Sequence, residues 1–289
     1  MQTKLSEIII GCMSWGAWGK QFSPQEMTNL LQFCVDEGNT TFDHADIYGD
    51  YTTEAEFGKA FTKSGIEREQ IQLISKCGIQ YVGNTRDTKI KHYNYSKEYI
   101  IWSVEQSLKN LQTNYLDVLL LHRPSPLMYP QEIAAAISEL QEQGKIIDFG
   151  VSNFTVSQVD LISSEIPVLA NQIEFSLTQH SVMHDGSLDQ MIKNKIQSMS
   201  WSPLGNVFKE ETAQNIRIKK ELQTLCKKYN ATEDQLLLAW ILKHPSKCIP
   251  VVGTTNKERI KNANEAVKME LDLEDWFSLL VASQGHKVP

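Results

Sequence analysis

A carboxylate, Asp43, stands five residues before a phenol, Tyr48, in the stretch TTFDHADIYG (Thr40 to Gly49). Two groups of complementary chemistry follow later apolar runs: an ammonium, Lys76, in LISKCG and an imidazole, His122, in VLLLHRP. Brought together, these four would make a proton-transfer site. An ammonium beside a phenol favours the phenolate, so Lys76 is expected to lower the Tyr48 pKa toward neutrality, while Asp43 keeps the ammonium charged and oriented. Tyr48 then serves as a general acid. Asp46, between the two, gains no role and reads as a surface or turn residue. One polar residue at a strand end is ordinarily a solvated loop residue, so the argument rests on several converging.

Convergence requires elements that deliver all of them to one place. Short β-branched or apolar runs at Glu7 to Cys12, Thr40 to Asp43, Gln72 to Lys76, Leu116 to His122, Ile146 to Gly150, Val168 to Ile173, Ile196 to Trp201 and Cys248 to Val252 read as strands. They alternate with helical stretches at Pro24 to Asp36, Glu54 to Phe61, Ser96 to Leu111, Pro130 to Gln143, Thr155 to Ser163, Leu188 to Lys193, Gln214 to Tyr229, Thr232 to Lys243 and Asn256 to Val267. Pro24 and Pro130 suit first helical turns, and Thr232 with Gln235 has capping-box spacing. Eight strands alternating with helices predict an α/β protein, a single-domain (β/α)8 TIM barrel, in which functional groups come from the carboxyl ends of the strands. The open doubly wound alternative lacks a G-x-G-x-x-G after its first strand. No linker or low-complexity tract divides residues 1–289. Asp272 to Val281 has helical spacing and is expected to pack outside the barrel.

Composition narrows the class. Hydrophobic residues make up 41% and charged residues 22% of the 289, enough for a large core, and the net charge of -7 argues against a nucleic-acid surface. Five scattered cysteines without a C-x-x-C pair make a disulfide framework or structural zinc unexpected and suit a reducing cytoplasm. MQTKLSEIIIG is too short of apolar residues for a signal peptide, and the longest apolar run elsewhere, Leu236 to Leu242, is far below a membrane span.

Taken in order, GCMSWG, FDHADIYG, SKCG, DVLLLHRP, GKIIDFGVSNF, NQIEFS, WSPLG and IPVVGTTNKERI resemble the aldo-keto reductase family over nearly the whole chain. That resemblance implies a nicotinamide-dependent reductase of small-molecule carbonyls built on a barrel, with Asp43, Tyr48, Lys76 and His122 as the catalytic tetrad. It places Ser152, Asn153 and Gln172 on the nicotinamide carboxamide and Trp201 against its ring, a position where tyrosine is common. Ser202, Leu204 and Gly205 match the loop after the pyrophosphate, and Gly253, Thr254, Thr255 and Arg259 the segment around an adenosine 2'-phosphate. Of Asn262 and Asn264, one is expected at adenine. Arg259 favours NADPH over NADH, because guanidinium pairs well with a phosphate dianion. Val251-Val252 and a longer GTT turn depart from the Lys-Ser that many members carry after the proline.

The resemblance also implies an N-terminal hairpin across the barrel floor, but Met1 to Ser6 are too few to form one, so side chains or the carboxyl-terminal segment are expected to seal it. A cofactor-binding sensor acting through a protein partner is the alternative function, although no extra domain or arm recruits one. A phosphosugar enzyme explains Arg259 but leaves Trp201 and the tetrad unaccounted for. His180 and His184 have the spacing of two metal ligands on one helix face, with no second cluster to complete a site. Trp15 and Trp18 follow the first strand and are candidates to line a substrate pocket. The loop Tyr81 to Tyr95 is a weaker candidate, and Arg123 reads as a structural salt-bridge residue.

Overall fold

Side chains along a strand alternate between its two faces, and in this chain one set of alternating residues fills the inside of a cylinder. Ile9, Ile74, Val118, Leu120, Ala170, Met199 and Val251 form an inner cluster separate from the larger shell between strands and helices. The computed structural model describes residues 3–289. Its strands are β1 (Ile9–Gly11), β2 (Thr41–Asp43), β3 (Gln72–Cys77), β4 (Leu116–Leu121), β5 (Ile146–Ser152), β6 (Ala170–Glu174), β7 (Gln197–Trp201) and β8 (Ile249–Val252). Each pairs in parallel with the next, and β1 pairs with β8 to close the barrel. The predicted (β/α)8 architecture is therefore the observed one.

Ten helices surround it among the described residues: α1 (Pro24–Asp36), α2 (Thr53–Ser64), α3 (Lys97–Leu111), α4 (Pro130–Glu142), α5 (Val156–Ser163), α6 (Ser187–Asn194), α7 (Ala213–Tyr229), α8 (Glu233–Leu242), α9 (Lys257–Ala266) and α10 (Leu273–Gln284). Their starts follow the caps in the sequence. Ser23 accepts from the Glu26 amide while the Glu26 carboxylate accepts from the Ser23 amide, and Thr232 with Gln235 makes the same reciprocal pair on α8. Every residue of α8 from Leu236 to Ile241 is buried. Its Trp240 stacks on Trp276 of α10 at 4.9 Å, each indole N–H donating to the other's carbonyl. The carboxyl-terminal helix thus packs on the outside, where Arg217 of α7 also holds the carbonyls of Ala282 and Ser283.

The floor is closed by a short segment instead. Thr3 N–H donates to Asp148 Oδ2 at 2.7 Å, Ser6 N–H donates to Thr41 Oγ1 at 2.8 Å, and Leu5 packs against the inner cluster. Met1 and Gln2, part of the stretch read as too short for a hairpin, lie outside the described residues. One small residue is dictated by the barrel wall: a Cβ on Gly150 of β5 would stand 2.5 Å from the Ala170 carbonyl oxygen. An unpredicted feature is a two-stranded antiparallel hairpin, Ile79–Gln80 with His92–Tyr93, inserted between β3 and α3 at the carboxyl end of the barrel.

Candidate active site

The inward register continues beyond the apolar cluster and changes from hydrocarbon to polar groups at one level. Lys76 lies two residues past Ile74, His122 two past Leu120, Gln172 two past Ala170 and Trp201 two past Met199. Asp43 pairs in register with Gly11 on one side and Ile74 on the other. Two-residue periodicity thus brings five strands' side chains to one end of the barrel.

Lys76 is the hub. Its Nζ donates to Asp43 Oδ2 at 2.8 Å, to the His44 carbonyl at 2.8 Å and to Tyr48 Oη at 3.1 Å, and its side chain is 1% exposed. Asp43 Oδ1 accepts a further bond from Gln172 Nε2 at 3.0 Å, which uses both carboxylate oxygens. Tyr48 leaves the turn after β2, and its ring lies edge-on to His122 at 6.1 Å. His122 is placed by its backbone N–H, which donates to the Cys77 carbonyl, while its Nδ1 is buried without a partner. The four groups singled out from spacing are in one place.

Electrostatics departs from expectation at Tyr48. Burial raises its pKa, Lys76 pulls it down and Asp43 pushes it up again, and the outcome is a phenol above its ordinary value. The sequence shows the cation beside it but not the loss of water, which here is the larger effect. Burial also pulls Lys76 down, but Asp43 and then Tyr48 outweigh it and hold the ammonium above its usual range. His122 lies well below the usual imidazole value through burial and the charges of Lys76, Arg123 and Lys91. The resting site at neutral pH is therefore a protonated phenol, a charged ammonium and a neutral imidazole.

Asp46 lies in the turn after β2, but not at the surface. It is 5% exposed, accepts from Ser103 Oγ at 3.0 Å, and is pushed up to about 7 by burial and by Glu54, against the pull of Arg86. It belongs to a buried layer behind the barrel wall with His44, brought down to about 3 by burial and by Lys76.

A cavity of about 880 Å³ runs from Tyr48 and His122 past Trp201 to Arg259. Ten of the twelve residues assigned to cofactor contacts line it, the exceptions being Thr255 and Asn262. Asn262 Nδ2 donates instead to Asp234 Oδ2 at 3.5 Å, and Asn264 is engaged with Asn39 and the Glu37 carbonyl. Trp201 Nε1 donates to Asn153 Oδ1 at 2.8 Å, and Asn153 donates to Ser152 Oγ at 2.7 Å, so the indole plane is fixed against the wall.

Of the two tryptophan candidates, at least one of which is expected at the pocket, Trp18 lines it, 6.3 Å from Tyr48 and 5.1 Å from Tyr81 between ring centres. Trp15 does not: it is fully buried among Phe22, Phe42 and Phe57, where its indole fills the layer between barrel and helices. Arg123 also departs from its reading, since it makes no salt bridge among the described residues and lines the cavity. Lys91, from the Tyr81 to Tyr95 loop read as a weaker candidate, lines it as well, and so do Ile47, Ile79, Phe208 and Asp234, which carried no sequence signal. The His180 and His184 rings do meet, at 5.9 Å, but no group of three metal-ligating side chains occurs among the described residues.

Residues 7–279 match the aldo/keto reductase family. The chain belongs to that family. It is 41% identical to an uncharacterized oxidoreductase of Bacillus subtilis, YcsN, over 99% of this chain and 97% of the relative. It is 38% identical to the Escherichia coli oxidoreductase YdhF over 95% and 93%, and 34% identical to a 6-dehydroglucose reductase of Agrobacterium fabrum over 99% and 96%. Among solved structures, a thermostable aldo-keto reductase crystallised with the inhibitor epalrestat superposes with a TM-score of 0.83 at 26% identity, covering 98% of this chain and 97% of that one. As an aldo/keto reductase the chain is an oxidoreductase of carbonyl compounds. No helix among its described residues is long and apolar enough to cross a membrane.

Proposed function

We propose that this protein reduces aldehyde or ketone carbonyls to alcohols at the expense of NADPH, with Tyr48 as the proton donor. The observation that carries the reading is the triple engagement of Lys76 Nζ by Asp43, the His44 carbonyl and Tyr48 at the inner end of the cavity. A nicotinamide coenzyme fits the residues present: the cavity takes in both the tetrad and Arg259, an indole is braced in its wall, and Arg259 has no ion-pair partner among the described residues. Ser152, Asn153 and Gln172 would hold the carboxamide, and Arg259 a 2'-phosphate. When bound, the coenzyme supplies the hydride.

The remaining steps belong to the chain. Tyr48 keeps its proton at neutral pH and gives it up as negative charge grows on the carbonyl oxygen. Lys76 then faces a phenolate at 3.1 Å and stabilises it, while Asp43 holds the ammonium in place. Neutral His122 retains a ring N–H to donate to the same oxygen, and burial makes that bond stronger than it would be in water. Gln172 spends one of its two amide N–H donors on Asp43, which leaves its oxygen and the second N–H for the ligand.

Absorbance of NADPH with a panel of simple aldehydes and a sugar aldehyde, the last prompted by the name of the A. fabrum relative, tests the activity. Tyr48→Phe should lose most of the turnover and still quench tryptophan fluorescence when NADPH is added; normal turnover by this variant would show the mechanism to be wrong. Tight NADPH binding without oxidation by any carbonyl would favour a sensor acting through a protein partner.

A further inference from the structure

Two cations at the carbonyl end of the cavity have no role in the chemistry above. Arg123 and Lys91 both line it, and both act on His122, whose pKa their charges lower. Neither has an ion-pair partner among the described residues. The carboxylates that line the cavity cannot neutralise them: Asp43 is committed to Lys76, and Asp234 lies by Asn262 at the end where Arg259 sits. In a chain of net charge -7, an unpaired pair of cations at one end of a pocket is a local reversal of sign.

Arg123 is also held in place. Tyr95 Oη donates to the Arg123 carbonyl at 2.5 Å and accepts from the Arg123 N–H at 3.2 Å, which fixes the backbone immediately after His122. Tyr95 itself is 5% exposed. From that anchor the guanidinium lies 5.5 Å from the centre of the Trp201 ring, near the outer limit of a cation–π contact. The surface around Tyr48 is apolar, from Ile47, Ile79 and Trp18.

We infer that Arg123, assisted by Lys91, is a specificity residue that binds an anionic group carried by the substrate, a carboxylate or phosphate separated from the reacting carbonyl by a short apolar spacer. This rests on the carbonyl-reductase reading. The anion is distinct from the carbonyl oxygen, which belongs to Tyr48 and His122. A planar guanidinium takes either anion through two parallel N–H bonds, and Lys91 on the inserted hairpin adds a mobile point charge at the mouth.

Matched pairs of aldehydes decide the matter: butanal against 4-oxobutanoate for a carboxylate, and glyceraldehyde against its 3-phosphate for a phosphate. With the intact protein and NADPH, kcat/KM is expected to favour at least one anionic member by about tenfold or more, the usual scale for a well-placed charge-assisted pair. The preferred pair identifies the anion. Raising the salt from about 0.05 M to 0.5 M should shrink the preference, because Lys91 is exposed and screened. Arg123→Met should lower kcat/KM for the anionic member at least about tenfold more than for the neutral one, through KM, and Arg123→Lys should restore part of the difference. Both substitutions spare the backbone bonds to Tyr95, and circular dichroism checks folding. Equal rates for neutral and anionic members, or a preference that survives Arg123→Met, overturns the anion site alone. Failure of every aldehyde to oxidise bound NADPH overturns the reductase reading and the inference with it.

Discussion

Replacing Asp43 by Asn removes one negative charge and keeps the shape, so it isolates what the carboxylate does for Lys76. In the native site both carboxylate oxygens accept, one from Lys76 Nζ at 2.8 Å and one from Gln172 Nε2 at 3.0 Å. An amide has one oxygen, so one donor must face an NH2 group. The larger cost is the ammonium, 1% exposed and without its counter-charge. Breaking a buried pair in this way costs about 3–5 kcal/mol. An independent bound agrees: keeping a lysine neutral at pH 7 against an ordinary pKa of about 10.4 costs roughly 5 kcal/mol. With about 2.1 cal/mol/K of unfolding entropy per residue over 289 residues, each degree of Tm corresponds to roughly 0.6 kcal/mol, and the expected drop is about 5–8 °C.

The sign of the pH dependence follows from linkage. The folded pKa of Lys76 is raised, so its contribution in the native protein is complete below the ordinary lysine value and is lost as pH rises through the folded pKa. In Asp43→Asn the buried lysine is driven neutral instead, and that penalty fades as pH approaches about 10.4, where the unfolded chain loses the same proton. Differential scanning calorimetry at pH 7 and at about pH 10 is the assay. The Tm gap between the two proteins should narrow at the higher pH. A drop at pH 7 of less than about 1 °C, or a gap of equal size at both pH values, would refute the argument that charge pairing is what Asp43 supplies.

Three further outcomes follow from the site. Because burial keeps the Tyr48 phenol above its ordinary pKa, carbonyl reduction should be flat through neutral pH while alcohol oxidation, which needs the phenolate, should climb steadily toward alkaline pH; initial rates in both directions check this. Asp46→Asn should stabilise the fold, because a carboxyl held at about 7 when folded and 3.8 when free destabilises the native state increasingly between those values. The gain in Tm should therefore be small at pH 4 and several degrees at pH 8. Arg259→Ala should raise KM for NADPH by about tenfold or more, the worth of a charge-assisted phosphate bond, and leave KM for NADH nearly unchanged; equal effects on the two coenzymes would remove the 2'-phosphate from its role.

What the sequence made legible was periodic. Most barrel strands are apolar runs of four to seven residues, and the two-residue repeat along them carries Lys76, His122, Gln172 and Trp201 to one level, so strand ends located most of the site. Features without period were hidden. The strands of the inserted hairpin are two residues each, Ile79–Gln80 and His92–Tyr93, too short for any pattern. Trp15 and Trp18 are three residues apart in a loop, where nothing in spacing tells core from cavity, and only Trp15 is buried. Asp46 was misplaced because a carboxylate in a turn is ordinarily solvated; its partner Ser103 comes from α3, 57 residues away. The bond between Gln172 and Asp43 joins residues 129 apart and depends on a closed cylinder that no local pattern encodes.

That bond has a mechanical meaning. In the strand order, β2 and β6 lie opposite each other, so Asp43 and Gln172 form a strut across the lumen, and Lys76 ties its near end to β3. A barrel cross-linked through its centre at this depth cannot widen to admit a ligand without breaking a buried ion-pair network. Admission and release are therefore the work of the loops above the strut, those bearing Trp18, Lys91 and Phe208, while the ring of strands beneath keeps a fixed bore.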